Sequence, residues 1–300
     1  KALRNVDLDI SRGSIVGVVG ESGCGKSTLI TSIIRQLDSN ADIPNGSIEF
    51  EKQDLLKLSL DKMRNISGTK LSIVFQDPMS TLNPVLSIGR QMIDIQYRDK
   101  ISKKIKKQRS IDMLTKVGIP DPQSQLNQYP HELSGGMQQR VSIAMALQAG
   151  PSLLIADEPT TALDATLEVQ ILKLLKELQE EMGCSILFVS HHLGVIAELC
   201  DHVIVMYAGE IVEQGSTYEI FNNPAHPYTV KLLECDPASI SKKQRLLPSI
   251  PGEIPDLTNL SGGCIFKNRC DQSIDRCDKH TPKWNEFSNN HYVSCHLIES

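Results

Sequence analysis

The sequence predicts an α/β protein with a distinct region at its C-terminal end. Three observations carry that prediction. Short apolar, β-branched runs alternate with helical patterns. A glycine-rich turn stands between the first such run and a helix. After residue 222 the texture changes, and Pro, Asn, Ser and Cys become frequent.

Taken in order, Ser14 to Val19 reads as a buried strand that feeds the glycine-rich turn, and Ser27 to Ile34 as the helix that follows. Further strands are expected at Ser47–Phe50, Leu71–Phe75, Leu153–Ala156, Ser185–Val189 and His202–Tyr207. The last is expected to meet Glu210–Glu213 in a hairpin through Ala208-Gly209. Residues 82–150 show helical patterns and no strong strand, so a helical insertion is expected there. The basic run Lys100 to Arg109 reads as a solvated helix face. Glu168 to Met182 is amphipathic, with Val169, Leu172, Leu175 and Leu178 on one side. Asn222 to Pro227 reads as a hinge, which places domain boundaries at 1–222 and 223–300.

Composition narrows the function. The 300 residues are 40% hydrophobic and 22% charged, enough apolar surface for a packed core. With 31 Lys and Arg against 36 Asp and Glu, the net charge of −5 gives no overall basic field for nucleic acid. No apolar run reaches the roughly 18 residues of a membrane span. No leader pattern opens the chain, so secretion is not expected, and Lys1 in place of Met leads us to expect a trimmed N-terminus.

Gly20-Glu21-Ser22-Gly23-Cys24-Gly25-Lys26-Ser27 has the spacing G-x-x-x-x-G-K-S between strand and helix, the context a phosphate-binding loop requires. Glycines let successive N–H groups turn inward as a nest for phosphate oxygens, and the helix adds its unpaired donors and dipole. Gly20, Ser22, Gly23, Cys24, Gly25, Lys26, Ser27 and Thr28 are therefore candidate nucleotide contacts, with Lys26 on the β- and γ-phosphates and the Ser27 hydroxyl on Mg²⁺. Leu153 to Glu158 is an apolar run ending in two acids. Asp157 is the candidate Mg²⁺ ligand, and Glu158 the candidate base that polarises the attacking water. Ser134-Gly135-Gly136 opens a further helix as a second anion site, which suggests nucleotide shared between two subunits.

Leu133-Ser134-Gly135-Gly136-Met137-Gln138-Gln139-Arg140, about twenty residues before Asp157, resembles the signature of the ATP-binding-cassette ATPases. The resemblance implies that Ser134, Gly135 and Gly136 cover the γ-phosphate held by a partner's phosphate loop. Val74 to Pro78 looks like the family's Q-loop, which implies Gln76 as a catalytic group near Mg²⁺ and at the contact with membrane subunits. Thr161-Ala162-Leu163-Asp164 resembles the D-loop, implying Asp164 at the dimer interface. Phe188-Val189-Ser190-His191 implies His191 as the switch histidine on the γ-phosphate, although His192 departs from the family's usual Asp or Asn. The implied fold is a RecA-like core with an antiparallel β-subdomain, an inserted helical subdomain and a small Cys-rich C-terminal appendage. The family's adenine-stacking aromatic residue is expected upstream of Lys1.

A narrower resemblance covers essentially the whole chain. Gln76 to Pro84, His226-Pro227-Tyr228-Thr229, Ile250 to Leu257, Gly263 to Phe266 and Arg269-Cys270 resemble the oligopeptide, dipeptide and nickel permease ATPases. This implies ATP hydrolysis driving peptide import at the cytoplasmic face of the cell membrane. The implied partners are a second, paralogous ATPase subunit, two permease subunits and an extracytoplasmic binding protein. A nickel or other metal chelate is the alternative cargo. The rival function is an ABC ATPase acting on nucleic acid or ribosomes, but that class normally shows a basic surface or a coiled-coil insertion, and neither is visible.

Cys264, Cys270, Cys277 and Cys295 stand in loop-like sequence in the last forty residues. Four thiolates suit an iron–sulfur cluster or zinc, and free thiols or disulfides are the remaining reading. Their spacing lacks the paired C-x2-C of a zinc ribbon. By resemblance to the permease ATPases, a [4Fe–4S] cluster is expected, with Zn²⁺ as the alternative.

Overall fold

The computed structural model describes residues 1–161, 163–236, 248–258, 260 and 262–298, with Met79 and Ser80 described by their backbone. In chain order the elements are β1 (Ile15–Val19), α1 (Lys26–Ile33), β2 (Glu49–Phe50), β3 (Gln53–Asp54), α2 (Leu60–Ile66), β4 (Leu71–Val74), α3 (Pro78–Thr81), α4 (Ile88–Asp94) and α5 (Lys103–Lys116). There follow α6 (Pro122–Gln125), α7 (Gly135–Leu147), β5 (Leu153–Asp157), α8 (Ala165–Met182), β6 (Ser185–Val189), α9 (Leu193–Leu199), β7 (His202–Tyr207) and β8 (Glu210–Ser216). The described chain ends with α10 (Thr217–Asn222), α11 (Pro227–Glu234), α12 (Asp275–Lys279), β9 (Trp284–Ser288) and β10 (His291–Ser294). The chain falls into two compact units.

The first unit comprises residues 1–10, 14–32 and 188–300, a division that differs from the boundary expected at residue 222. Its sheet has the order β1-β7-β8-β10-β9. The all-apolar β1, buried along its length, pairs in parallel with β7 from Val16↔His202 to Val19↔Val205. The expected hairpin between β7 and β8 is present. Ala208 and Gly209 turn it with positive φ at both positions, 48° and 87°, the geometry that matches strand twist. β8 runs three residues beyond the expected end at Glu213.

The C-terminal region corrects two expectations. It was read as a loop-like appendage behind a hinge, yet β10 adds to the sheet beside β8, pairing Tyr292↔Gln214 and Val293↔Glu213, and β9 pairs with β10. The hinge is a fixed corner. Glu213 is fully buried, and its carboxylate accepts from the N–H groups of Ala225 at 2.8 Å and His226 at 3.0 Å. His291 of β10 places Nε2 at 2.7 Å from the same carboxylate. A buried carboxylate needs such donors, so the chain at 225–226 cannot swing away without leaving one uncompensated.

The second unit comprises residues 11–13 and 33–187. β4 and β5 pair in parallel from Leu71↔Leu153 to Val74↔Ala156, and β2 and β3 form a small antiparallel sheet. The region expected to be helical carries α4 to α7. The basic run lies largely exposed in α5, which buries Ser110 and Leu114 near its other end. In α8 the buried face is Ile171, Leu172, Leu174, Leu175, Leu178 and Gln179. Val169 is 53% exposed, on the flank of that face rather than within it, a correction to the expected stripe.

His226 gives the first unit a pH dependence. Its Nδ1 accepts from Tyr228 N–H at 3.0 Å and caps α11, and burial holds the ring down to about 4 from 6.5, against the opposing pull of Glu213. As pH falls, the unfolded chain takes up this proton first, so stability is full above about 6.5 and is lost towards 4. His226→Asn keeps a capping acceptor and has no such proton. Thermal unfolding between pH 7 and 4 is expected to show a shallower decline for this variant, by up to about 1.4 kcal/mol per pH unit; parallel declines would remove His226 as the cause.

Candidate nucleotide site

In the first unit the loop from Gly20 to Ser27 joins β1 to α1. Two glycines in it have no substitute. A Cβ on Gly20 would lie 2.2 Å from the Met206 carbonyl oxygen, and one on Gly25, where φ is 107°, would lie 2.8 Å from Leu3 Cδ2. Lys26 is buried and turned into the arc of the loop. Its Nζ donates to the carbonyls of Gly20 at 2.7 Å and Glu21 at 3.3 Å, with Cys24 Sγ at 3.9 Å. The ammonium group is thereby held beside the donors of the loop and the start of α1, where no acidic residue stands in the first turn. Cys24 is fully buried, and burial pushes its thiol up while Lys26 opposes the rise. Ser22, Gly23 and Ser27 are exposed and Thr28 is half-buried.

His191 and His192 follow β6 and are both exposed, their rings edge to face with centroids 4.5 Å apart. Beneath them Ser190 is buried; its N–H donates to Val18 O at 3.2 Å and its hydroxyl accepts from His192 N–H at 2.9 Å. That pair of bonds fixes the strand end from which the two histidines project.

In the second unit β5 ends at Asp157, which is half-buried, and the next residue, Glu158, has φ of 46°. A left-handed glutamate is uncommon and costs energy, a feature that concentrates at functional sites. Its Oε2 accepts from Gln76 Nε2 at 3.2 Å and from Thr161 Oγ1 at 3.1 Å. The structure thus brings together two of the three expected catalytic residues, Gln76 and Glu158. It also adds Thr161, which was singled out only as part of the D-loop.

The other candidates of this unit lie at helix starts. Ser134 caps α7, its hydroxyl accepting from Met137 N–H at 3.4 Å. Gly135 has open space around it, whereas a Cβ on Gly136 would lie 3.0 Å from the Leu167 side chain. Asp164 caps α8, with Oδ1 accepting from Thr166 and Leu167 N–H at 3.0 Å each, so its carboxylate has a structural task whatever else it touches. Ala162 of the expected D-loop lies outside the described residues.

The tail cysteines converge without closing. Cys264 N–H donates to Cys277 O at 2.8 Å. Burial pushes the Cys264 thiol up to about 11, and its neighbours Cys277, Cys295 and Cys270 push the same way. Burial also raises Cys270 and Cys295. Yet among the described residues no three His, Cys, Asp or Glu side chains are arranged to hold a metal ion. The expected four-cysteine metal centre is therefore not supported by the geometry.

Sequence reasoning missed Arg269. The resemblance included Arg269-Cys270 but gave the arginine no task, and its carboxylate partner, Glu21, is 248 residues away. The signal available was an arginine directly beside Cys270 in a cysteine cluster, which has no use for a cation as ligand.

Comparison with known proteins bears on the family and the fold. Residues 3–161 match the ABC transporter family and residues 212–277 the C-terminal region of oligopeptide/dipeptide transporters. The chain is 45% identical over 300 residues to an oligopeptide transport ATP-binding protein of Bacillus subtilis, covering 99% of this chain and 84% of the relative. It is 42% identical over 297 residues to a dipeptide transport ATP-binding protein of Escherichia coli, covering 99% and 90%. Among solved structures, a dimeric ATP-binding cassette in a post-hydrolysis state with ADP and Pi is 31% identical, with a TM-score of 0.63 over 72% of this chain and 90% of that one. A component of a Clostridium perfringens ABC transporter complex gives 31% and 0.65 over 74% and 84%. Among the described residues no helix is long and apolar enough to cross a membrane. The fold, the phosphate loop and a likeness that runs the length of the chain lead to one conclusion: this protein belongs to the ABC transporter ATPases, in the group that carries the oligopeptide/dipeptide transporter C-terminal region.

Proposed function

We propose that the chain hydrolyses ATP to drive peptide import, from the cytoplasmic face of the membrane, through two permease subunits fed by an extracytoplasmic binding protein. The observation that carries this reading is that likeness to peptide transport ATP-binding proteins spans 98–99% of the chain, tail included, rather than the ATPase core alone. The second ATPase is a paralogue. Co-purification with two hydrophobic subunits, and ATPase activity stimulated by peptide and binding protein in vesicles, test it. Stimulation by a nickel chelate and not by peptide would replace the cargo.

The proposed chemistry uses each group for what it can do. The loop's N–H groups and Lys26 bind the β- and γ-phosphates. Ser27, Gln76 and Asp157 offer a hydroxyl, an amide and a carboxylate oxygen, a hard donor set that suits Mg²⁺, which neutralises phosphate charge when bound. Glu158 orients a water and takes its proton as the new P–O bond forms and the bond to the β–γ bridging oxygen breaks. His191 contacts the γ-phosphate. Ser134, Gly135, Gly136 and Asp164 serve the nucleotide of a partner subunit.

Glu158→Gln is expected to lower turnover by about 10²-fold or more while ATP still binds, and to accumulate the ATP-bound dimer. Parent-like turnover would dismiss the assigned role. Lys26→Ala acts earlier. Losing one charged phosphate contact is expected to weaken MgATP binding by about 10–100-fold in calorimetry, and equal affinity would contradict the phosphate-loop reading.

For the tail, a shared thiolate site for [4Fe–4S], with Zn²⁺ as the alternative, rests on donor chemistry: four cysteines, three of them near enough to Cys264 to add to the rise that burial gives its thiol. Protein prepared without oxygen is expected to contain about four irons per chain. One zinc would favour the alternative, and metal-free protein would remove both.

A further inference from the structure

The C-terminal region reaches the phosphate loop itself. Glu21, the loop's second residue, donates its N–H to the Tyr228 hydroxyl at 2.9 Å. Its carboxylate is gripped from the tail by Arg269, Nη1 to Oε2 at 2.6 Å and Nη2 to Oε1 at 3.0 Å, the two-pronged geometry of the strongest charge-assisted pairs. The Arg269 side chain is 4% exposed.

Every nitrogen of its guanidinium is engaged. Nε donates to Pro251 O at 2.9 Å, Nη2 also to Ile250 O at 3.0 Å, and Nη1 to the Tyr207 hydroxyl at 3.4 Å, with the group 5.7 Å above the Tyr207 ring. Phe266, fully buried three residues before Arg269, packs edge-on against Tyr207 and Tyr228, ring centres 5.1 and 5.4 Å away. The arginine is therefore placed by a rigid aromatic cluster and two carbonyls, not by Glu21 alone.

A carboxylate in a loop that receives triphosphate is a liability. Uncompensated, it repels the polyanion and leaves the loop free to turn that charge towards the ligand. A buried arginine answers both problems, for it cancels the charge and fixes the side chain away from the loop's inward N–H groups. Lysine would cancel the charge with less geometric control.

We propose that Arg269 is a positioning residue of the nucleotide site, acting through Glu21 so that the C-terminal region sets the affinity of the phosphate loop for MgATP. The inference rests on the reading of Gly20 to Ser27 as the ATP phosphate site.

Calorimetric titration of the chain with MgATP, together with ATPase kinetics, tests it. Arg269→Gln keeps a donor for the two carbonyls but loses the charge. It is expected to weaken MgATP at least tenfold, about 1.4 kcal/mol, and to raise KM alike while kcat changes less than twofold. Glu21→Gln added to Arg269→Gln removes the exposed carboxylate and is expected to restore affinity to within threefold of the parent; so is Arg269→Lys alone. Loosened tail packing would not be repaired by a substitution in the loop. Parent-like affinity in Arg269→Gln, or no recovery in the double variant, overturns the inference. Should Arg269→Gln not fold, the double variant and Arg269→Lys carry the test, and a tenfold loss in either overturns it. Lys26→Ala separates the two readings: if it too binds MgATP like the parent, the phosphate-site reading has failed, not the role of Arg269.

Discussion

The buried carboxylate of Glu213 is the constraint on which the C-terminal third of the molecule depends. Sealed from water, it needs hydrogen-bond donors, and it takes them from Ala225, His226 and His291. Those bonds seat the corner at 225–226 and, together with the β8–β10 ladder, seat β10. The corner starts α11, α11 delivers Tyr228, and Tyr228 with Tyr207 and Phe266 forms the box that locates Arg269. One desolvated charge inside the sheet thus determines where a second, in the tail, meets the phosphate loop at Glu21.

Strain and charge are placed differently in the two units. The phosphate loop is built from backbone that avoids strain by using glycine: Gly20 and Gly25 stand where any side chain would strike a neighbour. At the end of β5 the chain accepts strain instead, since Glu158 adopts a left-handed backbone with a side chain in place. Gln76 and Thr161 hold its carboxylate there. On the proposed chemistry, a loop that binds by its main chain can dispense with side chains, whereas a group that polarises a water cannot. Each site adopts the backbone that its chemistry allows.

Much of this was legible in the sequence because it is local. β1, the loop and α1 are contiguous, and the strands Leu71–Val74, Leu153–Asp157 and Ser185–Val189 announce themselves by short, largely apolar runs. β9 and β10 gave no such signal. Trp284–Ser288 is exposed along most of its length, so it carries no alternating apolar face, and His291–Ser294 owes its place to pairing with β8. A strand specified by its neighbour rather than by its own pattern reads as loop. The fixed corner was misread for a related reason. Pro and Asn around residue 224 mark a break in regular structure, and a break says nothing of whether distant carboxylates tie it down.

The same contrast bears on what the C-terminal region is for. Were it an appendage, the core would close without it, and its removal would expose only surface. Instead it supplies His291 to a carboxylate buried in β8, a partner strand to the β8 edge, and an arginine to the phosphate loop. Removing it would leave a buried acid short of a donor, an unpaired strand edge and an uncompensated charge at Glu21, each costly for a separate physical reason. The region therefore packs within the first unit, together with β1 and the Gly20–Ser27 loop. Of the four cysteines within it, Cys270 adjoins Arg269 in the chain.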